Sequence, residues 1–305
     1  MSVEVPTEPP TAVAAPADDP SVIGSLSPSR AADFKACPLL YRFRTIDRFP
    51  ETPSPDAVRG TVVHAVLERL FDRPAAARTV AAATQLVVPE WEALVAQEPS
   101  LAEMFAGPDG SADPVALESW LESARSLVEN YFALEDPRRI EPAAREELVE
   151  IVMDGLRLRG YVDRLDISPG GDVRIVDYKT GTSPRESFEA KALFQMKFYA
   201  LVIWRTRGVV PRQLRLMYLS DSDTLTYTPD SVELERFERT LHALWLAIQT
   251  ATRNRDFRPS PSALCAWCDH HARCPAQGGT LPPFPEEVRA EDAVPAATAS
   301  RHPDP

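Results

Sequence analysis

The chain has 305 residues, 44% hydrophobic and 26% charged, the usage of an ordinary folded protein with one large domain or two small ones. No run approaches the ~18 consecutive apolar residues of a membrane helix, and "MSVEVPTEPPTAVAAPADDP" lacks the basic start and apolar core of a signal peptide. A cytoplasmic protein with no membrane partner is expected. The net charge of −12 excludes a protein that is basic throughout.

Residues 1–22 are Pro/Ala-rich and carry Glu4, Glu8, Asp18 and Asp19 without Lys or Arg, so they read as a disordered tail. Residues 276–305 read as a second, acidic tail, and 23–275 as a single domain. The tails hold −4 and −3 of the charge, which leaves −5 on a body with 31 of the 33 basic residues. Such a body can still turn a basic face to phosphates.

In chain order, Ser27 caps and Pro28 opens a short helix to about Ala36. "AVRGTVVHAVLERLFD" sets Val63, Val66, Leu67 and Leu70 on one helical face, flanked by His64. Segments 79–97 and 114–134 share that period, so 56–135 reads as a helical block. From about 147, β-branched alternation broken by Asp154-Gly155 and "SPGGD" predicts three antiparallel strands, 147–153, 156–167 and 172–179. A helix over 186–208, a strand "QLRLMYLS" and a helix "SVELERFERTLHALWLAIQTATRN" complete a core at 147–252. The fold class is α/β, a sheet flanked by helices.

On the third strand, Val173, Ile175, Asp177 and Lys179 share one face, and Asp163 of the preceding strand lies at the same end of the hairpin. Two carboxylates and an ammonium converge in a region walled by Ile175, Val176 and Ile167. A salt bridge of Lys179 with Asp177, and of Asp163 with Arg164, is the bland reading. Apolar residues would serve stability as well there, so retained charge points to chemistry. Paired carboxylates suit Mg²⁺, and a lysine beside them can orient or deprotonate a water and offset charge on a phosphate.

"GYVDRLD" at 160–166, "IVDYKTG" at 175–181 and "QMKFY" at 195–199, with "GTVVHAVLE" upstream, resemble the RecB-type branch of the PD-(D/E)xK nuclease superfamily over roughly 26–275. The resemblance implies a restriction-endonuclease-like core: a mixed sheet with an antiparallel hairpin and an inserted helical block. It implies Asp163, Asp177, the Tyr178 carbonyl and His64 as ligands of Mg²⁺ or Mn²⁺, and Lys179 as the catalytic lysine. Taken alone, His64 reads as a core histidine. Gln195 and Tyr199 stack four apart on one helix face with Lys191, either closing the site or simply packing. Glu147 resembles the family's acid on the first strand, with Glu146 and Glu150 competing for that role.

The four cysteines are Cys37 and the trio Cys265, Cys268 and Cys274 in "CAWCDHHARCP". Zinc held with His270 or His271, leaving Cys37 a buried thiol, is one reading. The other uses all four thiolates for an iron–sulfur cluster. The layout resembles the iron–sulfur subset that includes AddB-type and CRISPR-associated nucleases, which implies a structural 4Fe-4S cluster stapling a long loop. The expected activity is hydrolysis of DNA at ends or single strands, in repair or recombination. With no Gly-Lys-Ser/Thr phosphate loop, any unwinding falls to a separate helicase. The alternative is a noncatalytic nucleic-acid- or protein-binding module of the same fold. A direct, fully satisfied Asp177–Lys179 salt bridge remote from Asp163 would favour that alternative.

Overall fold

A computed structural model describes residues 24–107, 111–184 and 189–285. Three helical segments come first: α1 (Pro28–Ala36), α2 (Pro38–Tyr41) and a π-turn at 42–46. The hydroxyl of Ser27 accepts from the Arg30 N–H at 3.2 Å, the cap the sequence calls for. The helical block is α3 (Pro55–Leu70), α4 (Val80–Thr84), α5 (Val87–Gln97) and α6 (Pro114–Leu134). The single helix expected over 79–97 is thus two, broken near Gln85.

The strands are β1 (Ala144–Met153), β2 (Leu156–Ile167), β3 (Val173–Lys179), β4 (Gln213–Tyr218) and β5 (Asp223–Tyr227), with α7 (Glu189–Arg207) between β3 and β4 and α8 (Ser231–Asn254) last. They lie in the order β1-β2-β3-β4-β5, antiparallel except for the parallel β3–β4 pair. Asp154 and Gly155, at φ 47° and 78°, make the tight turn that two left-handed residues favour. The sheet is mixed and flanked by helices, as expected; β5 is an addition, its short Thr-Leu-Thr-Tyr alternation hidden among turn residues.

Each face of the sheet has its own core. Val149, Leu158, Val162, Ile175 and Leu214 pack with α7 and α8, through residues such as Phe198, Leu201 and Leu241. Val176, Tyr178, Met217 and Leu219 pack on the helical block against residues such as Val63, Leu67, Val128 and Tyr131. The block is therefore one full layer of the fold. Ile175 and Val176 are fully buried, but Ile167, expected beside them, is exposed at the turn end of the hairpin.

Residues 276–285, expected as part of the C-terminal tail, pack against the domain. Segment 276–285 folds back: an Arg42 Nη donates to the carbonyls of Pro282 and Pro283, and Phe284 stacks on Phe257. The rest of both expected tails, and the side chain of Lys191, lie outside the described residues. No described helix is long and apolar enough to cross a membrane.

Candidate active site

The sheet register builds the site. β2 and β3 pair Arg164 with Val176, so one step on Asp163 faces Asp177. β1 and β2 pair Arg145 with Arg164 and Glu147 with Val162, which sets Glu146 level with Asp163. Three carboxylates thus form a row across three adjacent strands. At Glu146 the backbone leaves the β region (φ 43°), a conformation that costs a non-glycine residue roughly 1–2 kcal/mol.

His64 reaches this row from α3. Ser54 caps that helix by accepting from the Ala57 N–H at 3.1 Å, and the Val and Leu residues on its buried side press it onto the sheet. A methyl at Gly60 would sit 3.3 Å from the Thr180 hydroxyl, so glycine permits the close approach of helix to strand end. The His64 Nε2 lies 3.0 Å from the Tyr178 carbonyl and donates to it. Its Nδ1 is 3.5 Å from Asp163 Oδ2 and 3.7 Å from Glu146 Oε1. The Tyr178 N–H donates to Asp163 Oδ2 at 2.6 Å. Among the described residues, His64, Glu146 and Asp163 are the one group of three or more His, Cys, Asp or Glu whose ligand atoms lie within 4.8 Å of one another.

Burial pushes the Asp163 carboxyl up, and the neighbouring Asp177 and Glu146 add to that against the pull of His64, for a value of about 7. Burial pulls His64 down, but Asp163, Glu146 and Asp177 outweigh it and hold the imidazole up to about 9. One imidazole nitrogen with carboxylate and carbonyl oxygens is a donor set that fits Mg²⁺ or Mn²⁺.

Asp177, Lys179, Gln195 and Tyr199 form a second group. The ammonium of Lys179 contacts Asp177 Oδ2 at 2.6 Å and donates to Gln195 Oε1 at 2.9 Å. The Gln195 amide donates to Asp177 Oδ1 at 2.9 Å and to the Tyr199 hydroxyl at 3.3 Å. Tyr199 lies over Gly160, where a methyl would meet its ring at 2.8 Å; the glycine of "GYVDRLD" makes room for the ring that supports Gln195. Burial lowers the Lys179 pKa, yet Asp177 and Asp163 more than offset this, so the ammonium stays charged.

The direct Asp177–Lys179 ion pair is therefore present, but with Asp163 opposite Asp177 rather than remote. Both Asp177 oxygens are engaged, and it stands outside the 4.8 Å trio. The other bland reading does not hold: Arg164 turns to the opposite face and pairs with Glu135 and Asp166. Glu147 also turns away, holding Arg207 at 2.9 and 3.0 Å, while Glu146 takes the place beside His64. Adjacent glutamates fall on opposite faces of a regular strand, and no sequence signal marks the backbone departure at Glu146.

Far along the chain, Cys37, at the junction of α1 and α2, meets Cys265, Cys268 and Cys274 around one cavity of ≈ 70 Å³. All four are free, partly buried thiols. The backbone N–H groups of Ser260 and Ser262 donate to the sulfurs of Cys37 and Cys265, each at 3.3 Å. The two histidines are occupied elsewhere: the Nε2 of buried His270 contacts Glu51 at 2.8 Å, and that of His271 contacts the Cys265 carbonyl.

The sequence profile of the PD-(D/E)XK nuclease superfamily matches residues 25–275. The chain is similar to the Gene 69 protein of Mycobacterium phage L5, 30% identical over 132 residues, which are 41% of this chain and 42% of that protein. The match thus spans less than half of the L5 relative. The Gene 69 protein of Mycobacterium phage D29 is 28% identical over 200 residues, 60% of this chain and 70% of that one. A solved structure from Eubacterium rectale, described as a candidate exonuclease, superposes with a TM-score of 0.51 at 12% identity, covering 81% of this chain and 88% of its own, a likeness of fold.

Proposed function

Because the chain belongs to the PD-(D/E)XK nuclease superfamily, we propose that it is a Mg²⁺- or Mn²⁺-dependent deoxyribonuclease of the RecB type. The single observation that carries this reading is the row of Glu146, Asp163 and Asp177 across β1–β3, with His64 at one side and Lys179 at the other. In this reading His64, Asp163, Glu146 and the Tyr178 carbonyl would hold the metal, with Asp177 level with Asp163 on the neighbouring strand. A metal held there would supply Lewis-acid polarisation of the scissile phosphate and a more acidic water. Lys179, kept as an ammonium, donates to and offsets charge on the phosphate. Gln195 and Tyr199 aim Lys179 and Asp177. The domain is one unit, with the helical block as its second layer.

DNA ends or single strands are the proposed substrate, in repair or recombination, with a separate helicase where duplex must be opened. Four thiols converging on one cavity support a structural 4Fe-4S cluster. Zinc at about 2.3 Å from each sulfur would draw thiols within about 4 Å of one another. No three Cys or His ligand atoms among the described residues are that close. The closed Asp177–Lys179–Gln195 ring favours the second reading, a noncatalytic binding module in which the charges only hold the fold.

Incubation with end-labelled linear and closed circular DNA, with and without Mn²⁺, separates the two. Mn²⁺-dependent release of nucleotides from linear DNA, with circles spared, is expected. Inertness on both substrates would overturn the nuclease reading, and cutting of circles would overturn end dependence.

A further inference from the structure

Tyr178 contributes both its backbone groups to the trio, its carbonyl to His64 and its N–H to Asp163. Its side chain points the other way, toward the helical block, and is 4% exposed. There its hydroxyl accepts from an Nη of Arg164 at 2.7 Å. Arg164 is wholly buried and makes a two-pronged contact with Glu135, the residue that closes α6, and a further contact with Asp166 at 3.1 Å. Tyr131 of α6 donates to the same Glu135 at 2.7 Å and stands edge-on to the Tyr178 ring at 5.8 Å. Arg215 of β4 approaches Glu135 at 3.5 Å. Burial would push the Glu135 carboxyl up, but Arg164 more than offsets it and keeps it ionised.

A buried ion pair of this kind is poor value for stability alone, because apolar residues of equal volume usually do as well. Its location gives it another use. Arg164 follows Asp163 on β2 and Tyr178 follows Asp177 on β3, so each of these two strands carries one member of the network on its reverse face. We propose that Arg164 and Glu135 are positioning residues that clamp Tyr178 from behind and fix its carbonyl and N–H for the metal-binding trio, coupling α6 of the helical block to the site. The inference rests on the metal-dependent reading above and adds its supporting shell, which in metal sites is worth about 10–100-fold in affinity.

The test is Mn²⁺ titration of the metal-free full chain by calorimetry, with melting temperatures recorded alongside. Tyr178→Phe removes only the hydroxyl that Arg164 grips, and Glu135→Gln weakens the clamp at its other end. Each is expected to weaken Mn²⁺ binding about 10-fold or more, and the double variant to be no worse than the poorer single one, since both act through one path. Mn²⁺ affinity within about 2-fold of wild type in folded Tyr178→Phe overturns the inference and leaves the nuclease reading standing. A wild-type chain that takes up no Mn²⁺ and cuts no DNA overturns that reading, and the inference with it. If Glu135→Gln fails to fold, Tyr178→Phe alone decides.

Discussion

Asp163→Asn is expected to lower Mn²⁺-dependent cleavage by about 10³-fold or more while leaving the metal-free protein at pH 8 at least as stable as wild type. The first half follows from its place between His64, Glu146 and the Tyr178 N–H. The second follows from the sign of its shift. The folded carboxyl, raised to about 7, binds its proton more tightly than the unfolded one near 3.9, so its charge costs stability as pH rises from about 4 through 7. Asparagine keeps an oxygen for the Tyr178 N–H and removes that charge from between two other carboxylates. Steady-state cleavage and thermal melting at pH 8 check both halves. Full activity in a highly purified variant, or a clear fall in melting temperature, would contradict the assignment.

Cys37→Ser should have the largest effect on stability. The proposed cluster ties residue 37 to a trio that begins 228 positions later. Closing a loop of that length restricts the unfolded chain by about 5 kcal/mol in the chain-entropy account of cross-links. Anaerobically purified wild type is expected to absorb broadly near about 400 nm, and the variant to lose the band and melt at markedly lower temperature. A colourless wild type holding one zinc ion, or a Cys37→Ser protein with the band intact, would contradict the cluster. Serine keeps the size of the side chain, so the loss would report ligation rather than packing.

Much of this was legible in the sequence because it is local or strictly periodic. The "SPGGD" turn and two alternating strands bring Asp163 opposite Asp177, and the i, i+4 spacing sets Gln195 beside Tyr199. The meeting of Cys37 with the distant trio was legible only through the family's layout, since nothing local joins them. Three features were not legible. Glu146 rather than Glu147 lies beside His64, at a residue whose backbone departs from β geometry, and a run of glutamates does not encode which one does so. Arg164 looked like a neighbour for Asp163, yet period two sends it to the other face, where its partner Glu135 comes from a helix earlier in the chain. The segment 276–285 has the composition of a tail, but Phe284 finds the Phe257 ring and Arg42 finds two proline carbonyls.

The salt-bridge and catalytic readings of Asp177 and Lys179 part most sharply at the ammonium. In the first, Lys179 only neutralises a buried carboxylate; in the second it acts on the phosphate. The deciding measurement is release of nucleotides from end-labelled linear DNA in Mn²⁺ by wild type and Lys179→Ala, with Mn²⁺ binding to each followed by calorimetry. A catalytic Lys179 predicts that the variant still binds Mn²⁺ and cleaves at least about 10²-fold more slowly. Cleavage by Lys179→Ala at the wild-type rate, or none by either protein, would contradict it.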